Sequence, residues 1–471
     1  MIQKMNPLII HPRLGQLTQA DERLMGNSGY VKEQINMQSD VIGRTTVRDG
    51  ITQLGGQIVN NYSVSALYNF RDSGAGTDNQ LIAVVGDGSF NDIWYLNGST
   101  WTKTLEDKTK DKKYRFATFS DRVIAVNSSE NMVAWDGSGA WDTTGDPLNV
   151  QSMSSHDCAY IETMMARVFV AGETANPDRL YFSSVSDVNK AIIWTPTTDY
   201  IDINPNDGFD ITALKRYSTT LLVFKKNYLY RVSGTGFSSS VDPDPVIGIG
   251  THSQESVVEG KGGIYYHNPR GFFVYKGGYP EEISKPIQDW VDAITVANYS
   301  EVIGWADGDH VYWSVGDVTV GNTAFTNIVL VYTISSNTWF IYSYPNQITA
   351  ACSYYGKSTT EVWQQVIGDD DGNVYTFNSG NTDNGTSIKY SLTTHFYDFG
   401  VLAHEKNITR LLVASNKLVE ARIAWQTREM DKDEWNDIGQ LNKKAQHFKD
   451  LNIKGEEIRF KIFGSRTDDG G

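Results

Sequence analysis

Three short acidic segments hold the side chains best suited to chemistry in this sequence. Residues 368–373 read GDDDGN and place Asp369, Asp370 and Asp371 in a row. Clustered carboxylates can hold a cation such as Ca²⁺, but the alternate spacing and the downstream Glu of an EF-hand loop are missing. An Asp-Gly pair is also typical of a hairpin tip. We interpret the segment as a hairpin and keep Asp369 and Asp371 as a candidate cation-binding turn.

The other two acidic segments have equally simple structural interpretations. Residues 203–210, INPNDGFD, gather oxygen-bearing side chains around a glycine, which suits a cation or an ordinary Pro-Asn-Asp-Gly turn, and we favour the turn. Its polar residues are Asn204, Asn206, Asp207 and Asp210. Residues 278–284, GYPEEIS, place Glu281 beside Glu282, and paired carboxylates serve glycosidases. Neighbours on a strand point to opposite faces, so these two cannot flank one bond.

No catalytic or cofactor motif is found. The 8 histidines are scattered without metal-ligand spacing, and Walker, dinucleotide and nucleophile-elbow patterns are missing. The segments WDGSGAW (135–141) and LNGSTW (96–101) resemble sialidase boxes but lack the leading Ser-x-Asp. We interpret Arg48 and Arg179 as structural ion-pair partners. The sequence therefore indicates a protein that is not an enzyme, with no metal and no cofactor.

Composition and charge limit the partners. The 471 residues include 41 Lys and Arg against 56 Asp and Glu, a net charge of −15. Such a chain does not grip nucleic acid by its phosphates, although an acidic wall allows DNA to slide past. Cys158 and Cys352 form no disulfide framework or metal pattern. We expect no signal peptide and no membrane span, because no apolar run of about 18 residues occurs.

The elements that must position these residues are short strands. Aromatic residues make up 12% of the chain, and 42 glycines separate apolar runs. Units of strand, tight turn and strand recur at intervals of about 35 to 50 residues, as in propeller repeats. They cover residues 79–105, 115–144, 167–194, 213–234, 262–284, 308–344 and 362–380. No unit can bury both of its faces alone, but a ring of such sheets can.

We therefore predict an all-β protein with an irregular β-propeller of six or seven blades over residues 61–389. A pair of β-sandwiches is the alternative. Large aromatic rings should fill the wedges between sheets, and Arg179 should anchor a turn through an acidic neighbour. These structural blade-motif residues are Trp101, Trp141, Arg179, Trp194 and Trp339.

The two flanks differ from the repeats. We predict an N-terminal arm over residues 1–60, which packs on the first blade or completes the last one. Residues 390–471 alternate around the polar stretch REMDKDEWND and predict a small C-terminal β-sandwich-like domain. Its strand Ile458–Phe463 is followed by RTDDGG where a further strand is expected. Either the natural chain continues past Gly471, or a neighbouring molecule completes the sheet.

Several of these segments together resemble one family. EQINMQSDVIGRTTVRDGITQL (33–54) resembles the opening of tail β-propeller proteins of short-tailed bacteriophages, with Asn36, Gly43, Arg48 and Gly50 in the matching places. Residues 176–234 and 249–287 are similar to the middle of that family, including DRLYF, ITAL and LLVFK. These motifs describe blades and not catalysis.

The resemblance implies a structural virion protein of the tail hub, nozzle or packaged-DNA stabilisation group. Such a protein forms a homo-oligomeric ring, often a hexamer, below the head-to-tail adaptor or portal-side protein. Double-stranded DNA passes through the ring channel during ejection without sequence-specific binding, and tail fibre or spike proteins dock on it. The expected location is the virion, after assembly in the host cytoplasm. Two alternatives remain: a carbohydrate-binding or glycan-cleaving propeller using Trp101 and Trp141, and a scaffold propeller of Kelch or WD type.

Overall fold

The computed structural model describes residues 30–41, 44–71, 79–142, 148–205, 207–234, 244–355, 363–401, 403–415, 420–431, 433–442 and 444–467. Gly43, Asn206 and Gly471, named above, lie outside these ranges, as do residues 1–29 of the predicted arm. The described parts are built from β-strands, with one short α-helix, Gln288–Asp292. Short 3-10 turns occupy Val150–Met153, Gln254–Ser256, Lys285–Ile287 and Val296–Asn298.

Seven antiparallel sheets, called blades 1 to 7, follow one another along the chain after four N-terminal strands. Those first strands are β1 (Glu33–Ile35), β2 (Met37–Val41), β3 (Arg44–Val47) and β4 (Thr52–Gln53). Blade 1 holds β5 (Val64–Phe70), β6 (Gln80–Gly86), β7 (Phe90–Asn97) and β8 (Thr100–Thr109). Blade 2 holds β9 (Arg115–Phe119), β10 (Arg122–Val126) and β11 (Val133–Trp135). Blade 3 holds β12 (Tyr160–Met164), β13 (Arg167–Ala171), β14 (Arg179–Phe182) and β15 (Tyr200–Asp202).

The remaining blades follow the same order. Blade 4 holds β16 (Ile211–Tyr217), β17 (Thr220–Lys225), β18 (Tyr228–Ser233) and β19 (Asp244–Ile247). Blade 5 holds β20 (Val258–Gly260), β21 (Gly263–Asn268), β22 (Gly271–Tyr275) and β23 (Glu281–Glu282). Blade 6 holds β24 (Ile303–Asp307), β25 (His310–Val320), β26 (Thr323–Thr333) and β27 (Thr338–Ser343). Blade 7 holds β28 (Ile348–Tyr355), β29 (Trp363–Asp369) and β30 (Val374–Thr376), together with β4.

The blades close into a ring. The first strand of each blade is its innermost strand, and β28 of blade 7 lies beside β5 of blade 1. The N-terminal strand β4 pairs antiparallel with β30, where Gln53 faces Tyr375. Blade 7 therefore takes its outermost strand from the other end of the chain. This exchange ties the first and last parts of the propeller together.

Hydrophobic burial explains why the ring is stable. One apolar cluster lies in each interface between consecutive blades, called a seam below. Strands such as β6 and β22 are apolar on both faces and bury nearly every residue, because each face meets a different neighbouring blade. At about 25 cal/mol per Å² of buried apolar surface, these seams are the main favourable term in folding.

The C-terminal strands build a second, smaller unit. These strands are β31 (Ile388–Thr393), β32 (Lys406–Ala414), β33 (Ala421–Thr427), β34 (Asn436–Leu441), β35 (Ala445–Gly455) and β36 (Ile458–Arg466). β1, β31, β36, β33 and β34 extend blade 6 into one nine-stranded sheet, through a parallel pairing of β1 with β27. β32 and β35 form a separate two-stranded sheet, and an apolar cluster around Ile453, Ile458 and Phe460 includes side chains from both. β36 pairs on both sides, with β31 and β33.

The prediction of an all-β propeller is confirmed, and the described sheets make seven blades. The turns use the expected chemistry: Gly98, Gly137 and Gly372 have φ values of 64°, 93° and 78°. Glycine has no Cβ and adopts such values without steric cost, which explains the Asn-Gly and Asp-Gly pairs in the repeats.

Candidate functional site

The most elaborate polar arrangement in the described residues surrounds Arg48, between the N-terminal arm, blade 6 and the C-terminal unit. Arg48 is 1% exposed, and both of its terminal nitrogens donate to the Asp383 carboxylate at 2.8 and 2.7 Å. Its Nε donates to Oδ1 of Asn36 at 2.8 Å, and its terminal nitrogens also donate to the backbone carbonyls of Asp49 at 2.9 Å and Ser343 at 2.7 Å. The guanidinium also lies 4.0 Å from the Tyr344 ring centroid. We call this group the arm junction.

The arm junction joins segments that are distant in sequence. Asn36 also accepts from the Ser343 backbone N–H and donates to the Lys389 carbonyl, both at 2.8 Å. Gly50 is needed beside it, because a Cβ there would lie 1.9 Å from the carbonyl oxygen of Thr382. A planar guanidinium with five donors can satisfy a buried carboxylate and carbonyls at once, whereas a lysine cannot. The junction therefore fixes the arm and the C-terminal unit to the propeller.

Arg179 lies in a more open environment. Its Nε donates to Asp202 at 3.0 Å, and the guanidinium lies 3.7 Å from the Tyr200 ring centroid. The two charged side chains are 24% and 39% exposed. Water screens such a pair, so its contribution to stability is small compared with that of Arg48.

The four tryptophans of the predicted blade motif lie at four different seams. Trp141 is stacked on Trp135 between blades 1 and 2, with ring centroids 5.4 Å apart. Trp194 lies between blades 2 and 3 and donates to the Leu148 carbonyl at 3.1 Å. Trp339 lies between blades 5 and 6, and half-buried Trp101 packs between blades 7 and 1. Because the Trp141 ring is covered by protein, it offers no stacking surface to a sugar.

The carboxylates of Asp369 and Asp371 accept hydrogen bonds from other groups of the protein. Asp369 is 2% exposed and accepts from Asn346, from Tyr375 and from the backbone N–H groups of Asp371 and Asn373. Asp371 accepts from the Asn61 backbone at 2.8 Å. These bonds hold the hairpin tip to Asn61, the first residue after the predicted arm, and agree with the interpretation of the segment as a structural hairpin.

The two other acidic segments are also tied to cations of the protein. Asp207 and Asp178 share the fully buried Lys225, at 2.8 and 2.6 Å from its Nζ. Glu281 pairs with Lys276 at 3.0 Å on the surface. The sequence analysis did not identify Lys225. Its position at the end of the apolar strand TLLVFK was a possible signal, because a buried lysine needs an acidic partner. Within the described ranges, no three His, Cys, Asp or Glu side chains are grouped to hold a metal ion.

Two ion pairs cross the propeller axis, and neither was apparent in the sequence. Arg115, at the start of blade 2, donates to Glu255 at 2.8 Å, and Lys113 contacts Glu301 at 2.7 Å. Glu255 and Glu301 precede the inner strands of blades 5 and 6, which lie opposite blade 2 in a ring of seven. Arg115 further packs on the Tyr160 ring, 4.7 Å from its centroid. These side chains bridge the central channel at one face.

The electrostatics of this bridge favour the charged state. Burial alone raises the pKa of Glu255, but Arg115 and Lys113 outweigh it and lower the pKa to about 2. The carboxylate therefore stays ionised at any physiological pH, so the bridge does not open by protonation. Burial acts in the same direction on the two thiols: it raises the pKa of Cys352 to about 12 and also raises the pKa of Cys158, which makes both poor nucleophiles.

Comparisons with known proteins add a likeness of fold only. No family model matches the chain, and no curated protein is similar in sequence. The WD40 domain of Pan2 from Neurospora crassa is 12% identical with a TM-score of 0.42, covering 70% of this chain and 95% of that one. BamB from Moraxella catarrhalis is 12% identical with a TM-score of 0.37, covering 70% and 92%. YCF48, in a structure with a D1 peptide, is 11% identical with a TM-score of 0.40, covering 69% and 97%.

Proposed function

We propose that this chain is a non-enzymatic structural subunit of a ring in the tail of a short-tailed bacteriophage. Six copies close around the DNA channel below the head-to-tail adaptor, and distal tail parts dock on the ring. Double-stranded DNA passes through without sequence-specific binding. The proposal starts from the resemblance of residues 33–54, 176–234 and 249–287 to tail propeller proteins.

The arm junction is the observation that carries the proposal. A ring closes through heterologous contacts, in which two unlike surfaces meet at a constant angle. Each subunit must therefore hold its two surfaces rigidly. Arg48, Asp383 and Asn36 fix the C-terminal unit to the propeller, and one nine-stranded sheet runs through both. A disc with a rigidly attached side domain is suited to such a ring.

The distribution of charge favours a ring channel that does not bind the DNA phosphates. Residues 388–471 carry 14 Lys and Arg against 13 Asp and Glu, so the excess of acidic residues lies in residues 1–387. An acidic disc repels the phosphate backbone and does not retain it. Since Arg115 and Lys113 bridge the axis of the propeller, the DNA runs between copies and not through one of them. Among the described helices, none has the length and apolar character needed to cross a bilayer.

Analytical ultracentrifugation of the full chain tests the proposal. We expect a concentration-dependent species of about six times the 52.6 kDa chain mass. Arg48→Met should abolish that species, because the side domain loses its fixed angle, whereas Arg179→Met should retain it. A single 52.6 kDa species at every concentration, together with the absence of the chain from purified phage particles, would contradict the proposal.

A further inference from the structure

One surface of blade 3 exposes apolar side chains that the fold leaves uncovered. Residues 184–193 lie between β14 and β15, and we call this segment the blade 3 loop. Three of the ten large apolar side chains that are exposed among the described residues lie in it: Val185 is 51% exposed, Val188 97% and Ile193 66%. A single exposed apolar side chain is ordinary, but a cluster of them is typical of a contact surface.

The blade 3 loop is held in one shape by its own hydrogen bonds. The Ser184 backbone N–H donates to the Ile193 carbonyl at 2.8 Å, and the Ile193 N–H donates to the Ser184 hydroxyl at 2.9 Å. The Asp187 carboxylate accepts from the backbone N–H groups of Asn189 and Ala191 at 2.8 and 2.9 Å. A loop that is already ordered loses little conformational freedom when it binds. The exposed side chains are therefore presented in a fixed arrangement.

A second uncovered surface is the outward face of the sheet formed by β32 and β35, which we call the outer C-terminal face. Ile408, Leu411 and Ile453 point inwards, to the apolar cluster of the C-terminal unit. Their neighbours on the two strands therefore point outwards, and these neighbours are exposed. The outward pairs are Asn407 with Lys454, Arg410 with Lys449, and Leu412 with His447.

The outer C-terminal face is cationic around an exposed leucine. Arg410 and Lys449 lie directly opposite each other, an arrangement in which like charges are unfavourable. In the part of the chain that the structure describes, neither of them forms an ion pair. Asp450, the one acidic residue of the two strands, is itself exposed in the bulge that interrupts their pairing. Since Leu412 is 55% exposed beside these cations, a partner with acidic and apolar groups fits the face.

The blade 3 loop and its surroundings have the complementary charge. The one cation of the loop, Lys190, pairs with Asp121, so the Asp187 carboxylate is not neutralised by the loop itself. The chain as a whole has the same bias, because residues 1–387 carry 27 Lys and Arg against 43 Asp and Glu. The propeller thus offers an acidic surface whose apolar side chains are concentrated at this loop.

We propose that the outer C-terminal face of one copy binds the blade 3 loop of a second copy. Val188 and Ile193 cover Leu412, and the cations beside Leu412 face the acidic propeller. The C-terminal unit continues the sheet of blade 6, and blade 3 lies three positions away, the largest separation in a ring of seven. Two unlike surfaces on opposite sides of a subunit make a head-to-tail contact, which closes into a ring. The inference rests on the proposed ring and names the surfaces that join its subunits.

Sedimentation velocity of the full chain and its lysine variants tests the contact. Val188→Lys places a cation against the cationic face, and Leu412→Lys removes the apolar centre of that face. Each should weaken self-association about thirtyfold or more, the usual effect of changing a residue at the centre of an interface. Both side chains are exposed, so neither change should disturb folding. Val296→Lys changes a side chain that is 78% exposed outside both surfaces and should associate like the wild type.

Mixing the two weakened variants tests whether the contact is head to tail. The Val188→Lys chain keeps an intact outer C-terminal face, and the Leu412→Lys chain keeps an intact blade 3 loop. Each variant alone should sediment as a single chain, whereas an equimolar mixture should form a complex of two chains that grows no further. A mixture that stays as single chains would overturn the proposal.

A charge reversal separates binding from folding. Lys449→Glu replaces one of two facing cations by an anion, so the fold should become slightly more stable in urea unfolding while self-association weakens. Unchanged or stronger self-association in Lys449→Glu would overturn the proposal. So would binding of a double-stranded DNA fragment that this variant loses while the wild type forms no oligomer.

The outcomes also separate this contact from the proposed role in the tail. Wild-type oligomers that Val188→Lys and Leu412→Lys form equally well would overturn the contact and leave the ring in place. Oligomers that both variants lose, formed by a chain that is absent from purified phage particles, would support the contact and contradict the tail role. A wild-type chain that stays single at every concentration would overturn the contact, and its presence in particles would then decide the tail role.

Discussion

Replacing Arg48 by Met should be among the most damaging single changes in the chain. The Arg48 side chain makes five hydrogen bonds, two of them to Asp383, which is 5% exposed. Methionine fills part of the space but leaves a buried carboxylate without its cation. Breaking a buried pair in this way costs about 3–5 kcal/mol. Urea unfolding followed by far-UV circular dichroism and tryptophan fluorescence measures the loss.

Two comparisons make the magnitude specific to the buried charge. Arg179→Met breaks a partly exposed pair with Asp202 and should cost about 0.2–1 kcal/mol. Adding Asp383→Asn to Arg48→Met removes the stranded charge, so the double variant should recover about 2 kcal/mol of the loss. If Arg48→Met and Arg179→Met unfold at the same urea concentration, or if adding Asp383→Asn restores no stability, Arg48 does not neutralise a buried carboxylate.

Three further predictions test other parts of the structure. Gly50→Ala should release the arm and speed its proteolysis, because a Cβ at Gly50 would strike backbone, whereas Gly56→Ala, with open space around it, should resemble wild type. Lys225→Met should cost about 3–5 kcal/mol in urea unfolding and be partly rescued by adding Asp207→Asn; a loss below 1 kcal/mol would exclude a buried charge cluster. Burial, aided by His252, lowers the pKa of His267 to about 3, so the folded protein keeps a neutral ring while the unfolded chain binds a proton near pH 6.5. This stability is complete above pH 6.5 and falls by about 2 kcal/mol between pH 6.5 and 5, and His267→Phe should remove that slope; an unchanged slope would refute the assignment.

Local pattern was enough to predict the fold class. Alternating apolar strands, Asn-Gly and Asp-Gly turns and a regular repeat length all depend on residues close in sequence. The propeller follows from them because each sheet has apolar faces that only neighbouring sheets can cover. Trp141, Trp194 and Trp339 could be picked out because each follows a turn at the end of a repeat unit, where the next seam begins.

The contacts that join distant segments could not be predicted in this way. Asp383 lies 335 residues from Arg48, and Glu255 lies 140 residues from Arg115. The residues next to a charged side chain in a strand do not indicate which distant residue it pairs with. Only closure of the ring brings the two members of each pair together.

Electron cryomicroscopy of phage particles assembled from a genome that encodes this chain tests whether the chain forms a tail ring. We expect a six-fold ring below the adaptor, in which each copy fits the seven-bladed disc and its side domain as one rigid body. DNA density should run along the axis of the ring and not through any single propeller. Particles without this chain, or DNA threaded through the axis bridged by Arg115 and Glu255, would contradict it.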